Sequence, residues 1–248
     1  MKNAEEFRQW KMQRASELLL NESYVKSSLL WLNEAVSSDY PYMFEWLGVP
    51  VIQFPADLIL IQEALVVAKA NKIIEIGIAR GGTTLFLASI LKLTNSTGKK
   101  RVIGVDIKVS DHTRKAIESS NLASDIKLIE GNSTSQTTFE EILKLVEPQD
   151  RVMVILDSNH TEEHVLAEME LYSDIVSQNS FLIVMDTAIE YLSEQTDLHH
   201  RPWGKGNNPQ TAIQKFLERR PGILEVDAVL NSRSCPGAST GGFLRKII

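Results

Sequence analysis

The 248-residue sequence predicts an α/β fold: a doubly wound, mostly parallel sheet with helices on both faces, preceded by a helical extension. Three observations predict it. Short β-rich runs, apolar throughout, recur from residue 72 onward; stretches with helical periodicity separate them; and each central run carries an acid at or near its end. Continuously apolar strands are strands buried on both faces, which is how a parallel sheet reads.

The elements follow in order. Residues 1–50 form the extension, where Phe7, Trp10, Leu18 and Leu19 trace an irregular stripe and Val25, Leu29, Leu32 and Val36 recur at helical spacing, giving two amphipathic helices. The segment "YPYMFEWLGVPVIQFP", with prolines at 41, 50 and 55, reads as an ordered connector. Residues 51–248 form the α/β domain. Its strands are "KIIEI" (72–76), "VIGVD" (102–106), "IKLIE" (126–130), "VMVILD" (152–157) and "FLIVMD" (181–186), with helical patterns such as Phe86, Ile90, Leu93 and Val165, Met169, Tyr172, Val176 between them. Asn208 and Pro209 start a late helix that buries Ile213, Phe216 and Leu217 and stops at Pro221-Gly222. "ILEVDAVL" and "GGFLRKI" are two further strands that close the sheet edge.

Composition excludes several function classes. The net charge is −6 and the longest basic run is "TGKKR", so no nucleic-acid partner is expected. Cys235 is the only cysteine, which rules out an internal disulfide and a paired-cysteine zinc site. The charged start and the lack of an apolar run near ~20 residues predict a cytoplasmic protein that does not enter a membrane. Trp10, Trp31 and Trp46 read as packing or subunit-interface residues, and the extension as an oligomerisation surface, so a homo-oligomer is expected.

In a doubly wound sheet the ligand site lies outside the carboxyl ends of the strands. Those ends carry Glu75, Asp106, Glu130, Asp157 and Asp186. One acid there is an ordinary helix cap; five favour a site. "EIGIARGGTTLF" places Gly77, Gly81 and Gly82 between a strand and a helix, but Ala79 stands where a dinucleotide loop needs its second glycine. Glu75 two residues before the first glycine, with Asp106 at the next strand end, instead resembles adenosylmethionine-dependent methyltransferases. Glu75 would face the sulfonium and amino end of the cofactor, and Asp106 would accept hydrogen bonds from the ribose hydroxyls. In "EGNSTS", Asn132 and Ser133 follow the third strand, where such enzymes usually contact the adenine or ribose edge.

If the strand order follows that pattern, Asp157 and Asp186 end neighbouring strands about 5 Å apart. Two carboxylates so placed repel each other unless a cation lies between them, and magnesium suits so sparse a ligand set. His160, in Asp157-Ser-Asn-His160, stands where a general base would reach the proton of an acceptor hydroxyl. It also stands where a helix begins, with Thr161 or Asn159 as its cap.

"WLGVPVIQFPADL", "IIEIGIARGGT", "VMVILDSNHTEEHVLAEMELY" and "RPWGKGNNPQTAI" together resemble the cephalosporin hydroxylase family, which includes rhamnosyl O-methyltransferases, over roughly residues 45–247. The resemblance implies a Rossmann-like, magnesium- and S-adenosylmethionine-dependent O-methyltransferase acting on a hydroxyl of a sugar or antibiotic-like small molecule. It further implies that Asp157 and Asp186 ligate the metal, that His160 is the base, and that the loop Gly77, Ala79, Gly81, Gly82 holds the cofactor. Where related enzymes carry an acidic pair, this chain reads Met185-Asp186, which leaves the third ligand open among Thr187, Glu190 and water. His199, His200, Arg201 and Trp203, followed by Gly204 and Gly206, read either as a mobile lid over the acceptor or as a surface loop with Trp203 tucked into the core. Two other classes stay open: an oxygenase with His160 and Glu162 in a facial iron triad, and a non-catalytic protein that binds an adenosyl ligand.

Overall fold

The computed structural model describes residues 2–94, 96–193, 196, 198 and 200–248. Helix α1 (Ala4–Leu20) is opened by a capping box between Asn3 and Glu6. Asn21 ends it and at once caps α2 (Glu22–Ser37), accepting from the Tyr24 N–H at 3.0 Å. A 3₁₀ turn, Tyr40–Met43, leads to the hairpin β1 (Phe44–Trp46) and β2 (Val49–Val51). Its two-residue turn, Leu47-Gly48, has both φ angles positive, the twist that matches paired strands.

The chain then alternates through α3 (Pro55–Ala68), β3 (Lys72–Ile76), α4 (Gly82–Leu93), β4 (Arg101–Asp106), α5 (Asp111–Glu118), β5 (Ile126–Glu130), α6 (Gln136–Leu143), β6 (Val152–Leu156), α7 (Glu162–Tyr172) and β7 (Phe181–Val184). It ends with α8 (Pro209–Arg219), β8 (Leu224–Val226), α9 (Ala228–Asn231) and β9 (Phe243–Lys246). The sheet order is β5-β4-β3-β6-β7-β9-β8, parallel except for β9, which runs antiparallel to both its neighbours. The five central strands lie where the sequence places them, and so does β9. "ILEVDAVL" does not stay extended: the Asp227 carboxylate accepts from the Leu230 N–H at 2.8 Å, and this cap turns the second half into α9.

Alternation along the strands builds a core on each face. Ile73, Val102, Met153, Ile155 and Ile183 pack against α3 and α4, while Ile74, Ile76, Ile103, Val154 and Leu182 pack against α7 and α8. A third cluster lies at the carboxyl end of the sheet and joins Leu32 and Ala35 of α2 to Phe54, Ile189, Leu192 and Ala238. The two helices of the extension therefore differ. α2 is anchored in the body, whereas α1 buries only Ala15 and leaves Phe7, Trp10, Leu18 and Leu19 exposed. Trp46 is a packing residue, edge-on to Phe86 at 5.0 Å with its indole N–H donating to Ser89. Among the described residues no helix is long and apolar enough to cross a membrane.

The strand order reverses between β3 and β6, so the crevice opens where Ile76 and Leu156 end. Gly77 lies in that gap with φ +86°, and a Cβ there would sit 2.1 Å from the Asp157 carbonyl oxygen. Gly206 has a similar φ of +77° but open space around it. Gly77→Ala is therefore expected to cost about 3 kcal/mol or more, and Gly206→Ala only about 1–2 kcal/mol of backbone strain. Urea denaturation of the two variants side by side checks this; equal losses would mean that φ alone, and not close approach, selects glycine at 77.

Candidate active site

Asp157, His160 and Asp186 each offer a ligand atom, and these atoms lie within 4.8 Å of one another. β6 and β7 are parallel neighbours, which brings the two aspartates together as the strand order required. Asp186 adopts the left-handed conformation, φ 56°, which Asp tolerates and which starts the 3₁₀ turn Thr187–Tyr191. His160 precedes α7, whose N-cap is Thr161, and its Nε2 lies 3.0 Å from Asp186 Oδ2. Trp203 holds the imidazole edge-on at 4.8 Å.

The electrostatics of this corner are one-sided. Burial, followed by the charges of Asp186, Glu75 and Asp57, pushes the Asp157 carboxyl well above the ordinary carboxylate range, against a pull from Gln53, whose amide donates to Asp157 Oδ2 at 2.7 Å. Burial likewise pushes Asp57 up to about 6, although Ser239 and the Ala238 N–H donate to it. Among the described residues no lysine or arginine pairs with Asp57, Glu75, Asp157 or Asp186. An oxygen-rich cluster with no protein cation is suited to a hard divalent ion such as magnesium.

Neither side chain proposed as a third ligand turns toward it. The Thr187 hydroxyl donates to the Thr240 carbonyl at 2.7 Å, and the Glu190 carboxylate accepts from the Gly206 N–H and from Asn208. Glu162 is also elsewhere, paired with Lys215, so the His160–Glu162 iron triad is not assembled. Met185 is buried in the core on the α3 side, which explains why that position is apolar.

The glycine loop lies beside this cluster. Gly77 and Gly81 have positive φ, as does Ala79 at 43°. Asp106 braces the loop through Oδ2, accepting from the Ile78 and Ala79 N–H groups at 3.1 and 3.3 Å, and through Oδ1 it accepts from Lys108 N–H. Gly81, at the N-cap of α4, offers no side chain to satisfy the helix's first N–H groups. Glu75 is buried in β3, and its Oε2 has no partner. That orphaned oxygen is the fit expected for a cofactor ammonium.

Asn132 is exposed and folds its loop by accepting from Thr134. Ser133 turns inward instead. Its hydroxyl donates at 2.5 Å to Glu168 Oε1, a fully buried oxygen also reached by Ser158 Oγ at 2.6 Å and His164 Nε2 at 3.0 Å. Tyr172 donates to the Ser133 carbonyl at 2.8 Å. Of the predicted acceptor residues, Arg201 and Trp203 line the cavity over the aspartates, the guanidinium 5.4 Å from the indole ring. His200 is exposed and does not line it, and His199 lies outside the described residues. The 204–207 turn is held by a pair of backbone hydrogen bonds and by Glu190.

Sequence reasoning missed Gln53, Asp57 and Glu168. Gln53 is the lone polar residue in "VIQFP", and Glu168 falls among Val165, Met169 and Tyr172 on the buried stripe of α7; each is a polar residue at an apolar position.

Glu75 gives a pH-dependent test. Burial raises its carboxyl from 4.5 to about 8, with the Thr84 hydroxyl pulling the other way. Between those values the unfolded chain has released a proton that the folded chain keeps, so this group's contribution to stability falls as pH rises through the window and levels off above it. Glu75→Gln is expected to flatten that slope and raise the melting temperature near pH 8, while weakening adenosylhomocysteine binding about tenfold. Melting curves across the window and calorimetry check both; a variant with the native pH slope would show that Glu75 ionises freely in the fold.

Comparison with known proteins gives the family. A family model described as rhamnosyl O-methyltransferase/CmcI matches residues 38–247. A rhamnosyl O-methyltransferase of Mycobacterium leprae (strain TN) is 29% identical over 204 residues, 80% of this chain and 81% of that protein. Among solved structures, apo CmcI superimposes with a TM-score of 0.62 at 18% identity, covering 84% of this chain and 77% of that one. A CmcI structure with magnesium and SAM gives 0.59 at 18% identity, over 84% and 78% of the two chains. The fold is thus the Rossmann-like sheet of these enzymes, and with a match spanning residues 38–247 the chain belongs to the rhamnosyl O-methyltransferase/CmcI family.

Proposed function

We propose that this chain is an S-adenosylmethionine- and magnesium-dependent O-methyltransferase acting on a hydroxyl of a sugar or natural-product-like small molecule. One observation carries the reading: the Asp157–His160–Asp186 cluster opens into a cavity of about 310 Å³ whose wall also includes Ala79 of the glycine loop. In this reading residues 51–248 hold the cofactor and cation, and residues 1–50 are an accessory segment.

When bound, the cofactor supplies an electrophilic methyl on sulfur, and the cation supplies positive charge that acidifies a neighbouring hydroxyl. The protein's residues do the rest. Asp157 and Asp186 hold the cation, with Gln53 fixing the Asp157 carboxylate. Glu75 receives the cofactor ammonium, the α4 N-terminus its carboxylate and Asp106 its ribose hydroxyls, while Asn132 borders the adenine. Ser133 supports that loop from beneath through Glu168. His160 accepts the acceptor's proton, its ring kept in place by Trp203 and Asp186. Rate comes mainly from this positioning.

The 3.0 Å spacing of His160 Nε2 and Asp186 also suits a second reading, in which His160 is itself a cation ligand. His160→Ala separates the two. As a base, its loss should lower turnover by roughly 10²–10⁴-fold with melting, adenosylhomocysteine affinity and magnesium affinity kept, and should remove the acid limb of the pH–rate profile. As a ligand, its loss should lower magnesium affinity in step with rate. For the native enzyme, exhaustive chelation should abolish transfer from labelled adenosylmethionine and added magnesium should restore it; full activity in chelator would return both aspartates to a structural role.

A further inference from the structure

The family match begins at residue 38, yet part of the cavity over the aspartates is built from residues before it. Leu32 and Val36 of α2 line that cavity together with Tyr42, Ile189, Leu192 and Leu198. Leu32, Val36, Ile189, Leu192 and Leu198 belong to one apolar cluster. Among the described residues, Gln53, Asp157, Ser158, His160 and Asp186 line it near the strand ends, and Tyr42 and the exposed Asp39 and Arg201 are further polar residues on the lining.

α2 is fixed in this position. Leu32 is fully buried in the cluster with Phe54, Ile189 and Leu192, Asn33 Oδ1 accepts from the Ser193 N–H at 2.7 Å, and Tyr24 donates to the Cys235 carbonyl at 3.1 Å. A molecule in the cavity therefore meets oxygen and nitrogen ligands on one side and hydrocarbon on the other. A ring hydroxylated all round would press several hydroxyls against Val36 and Leu198 without hydrogen-bond partners, whereas a ring with a methylene or aromatic edge would bury that edge favourably.

We propose that α2 forms an acceptor subsite and that it selects a neutral ring compound with two faces: a hydroxyl edge toward the aspartates and a hydrocarbon or aromatic edge against Val36 and Leu198. The inference rests on the methyltransferase reading only for which edge reacts. The extension thus sets which acceptor enters, a role distinct from the oligomerisation surface its sequence suggests.

The test uses a matched pair of rings, cis-1,2-cyclohexanediol and myo-inositol, with the full-length protein loaded with adenosylhomocysteine and magnesium. Both offer vicinal hydroxyls on a six-membered ring; they differ in whether the far edge is methylene or hydroxylated. Ligand-observed NMR titration should give the diol at least about tenfold tighter binding. Val36→Trp, filling the wall from a half-buried position, should weaken the diol by a similar factor while adenosylhomocysteine affinity and melting stay native. Should that variant fold poorly, Val36→Thr keeps the shape, adds one hydroxyl, and should narrow the preference several-fold. Equal affinities, failure of both rings to bind, or a diol affinity unmoved by either substitution would overturn the subsite. Methyl transfer from labelled adenosylmethionine is measured separately: a diol that binds as expected but is never methylated counts against the methyltransferase reading and leaves the subsite standing.

Discussion

The burial of several carboxylates at one end of the sheet is the constraint around which this molecule is arranged. Glu75, Asp57, Asp157 and Asp186 converge at one end of the sheet, and the charges of the other three act on Asp157. A fold ordinarily relieves such a cluster with a lysine or arginine. Here the relief is partial: Gln53 and Ser239 donate neutral hydrogen bonds, and among the described residues only His160 pairs with the cluster through a group able to carry positive charge. Burial disfavours ionisation most, and the neighbouring charges add to it. In the proposed function, a cation and the cofactor's positive groups would complete the charge balance of this corner.

Topology determines where that corner lies. Reversal of strand order between β3 and β6 leaves a crevice, and the chain must pass from β3 into α4 across the backbone of Asp157 at a distance no side chain permits. The glycine loop is thus a consequence of crowding as well as, in the proposed function, a cradle for the cofactor. Asp106 then ties two backbone N–H groups of the loop to the neighbouring strand end, so the loop's shape depends on a residue that the cofactor also uses in the proposed mechanism.

The central fold was legible because its signals are local. Each of "KIIEI", "VIGVD", "IKLIE", "VMVILD" and "FLIVMD" declares a buried strand through its own composition, and the acid after it needs no neighbour to be noticed. The family resemblance supplied the roles of Asp157, His160 and Asp186, and the structure brings those three together. Other features depend on distant contacts. Nothing in Leu32 or Val36 says that α2 lies over the strand ends, because a helical stripe reveals a buried face without naming its partner. The same limit applies to α1, whose stripe remains largely exposed in the chain. Thr187 and Glu190 were reasonable metal ligands by sequence position alone; the Thr240 carbonyl and the 204–208 turn, far along the chain, claim them instead. Asp227 shows a local signal misjudged: a capping residue inside an apolar run outweighed the β propensity around it.

Glu168 carries a mechanical consequence. One carboxylate oxygen on α7 receives a hydroxyl from the loop after β5 and another from the loop after β6, and Tyr172, one turn further along the same helix, grips the first loop again by its backbone. Two segments that the sheet alone would join only through β3 and β4 are thereby pinned to a single rigid rod. Their separation is triangulated: sheet, helix and side chain each fix one edge. A single glutamate carboxylate thus holds the loop after β5 and the loop after β6 at a fixed distance from each other.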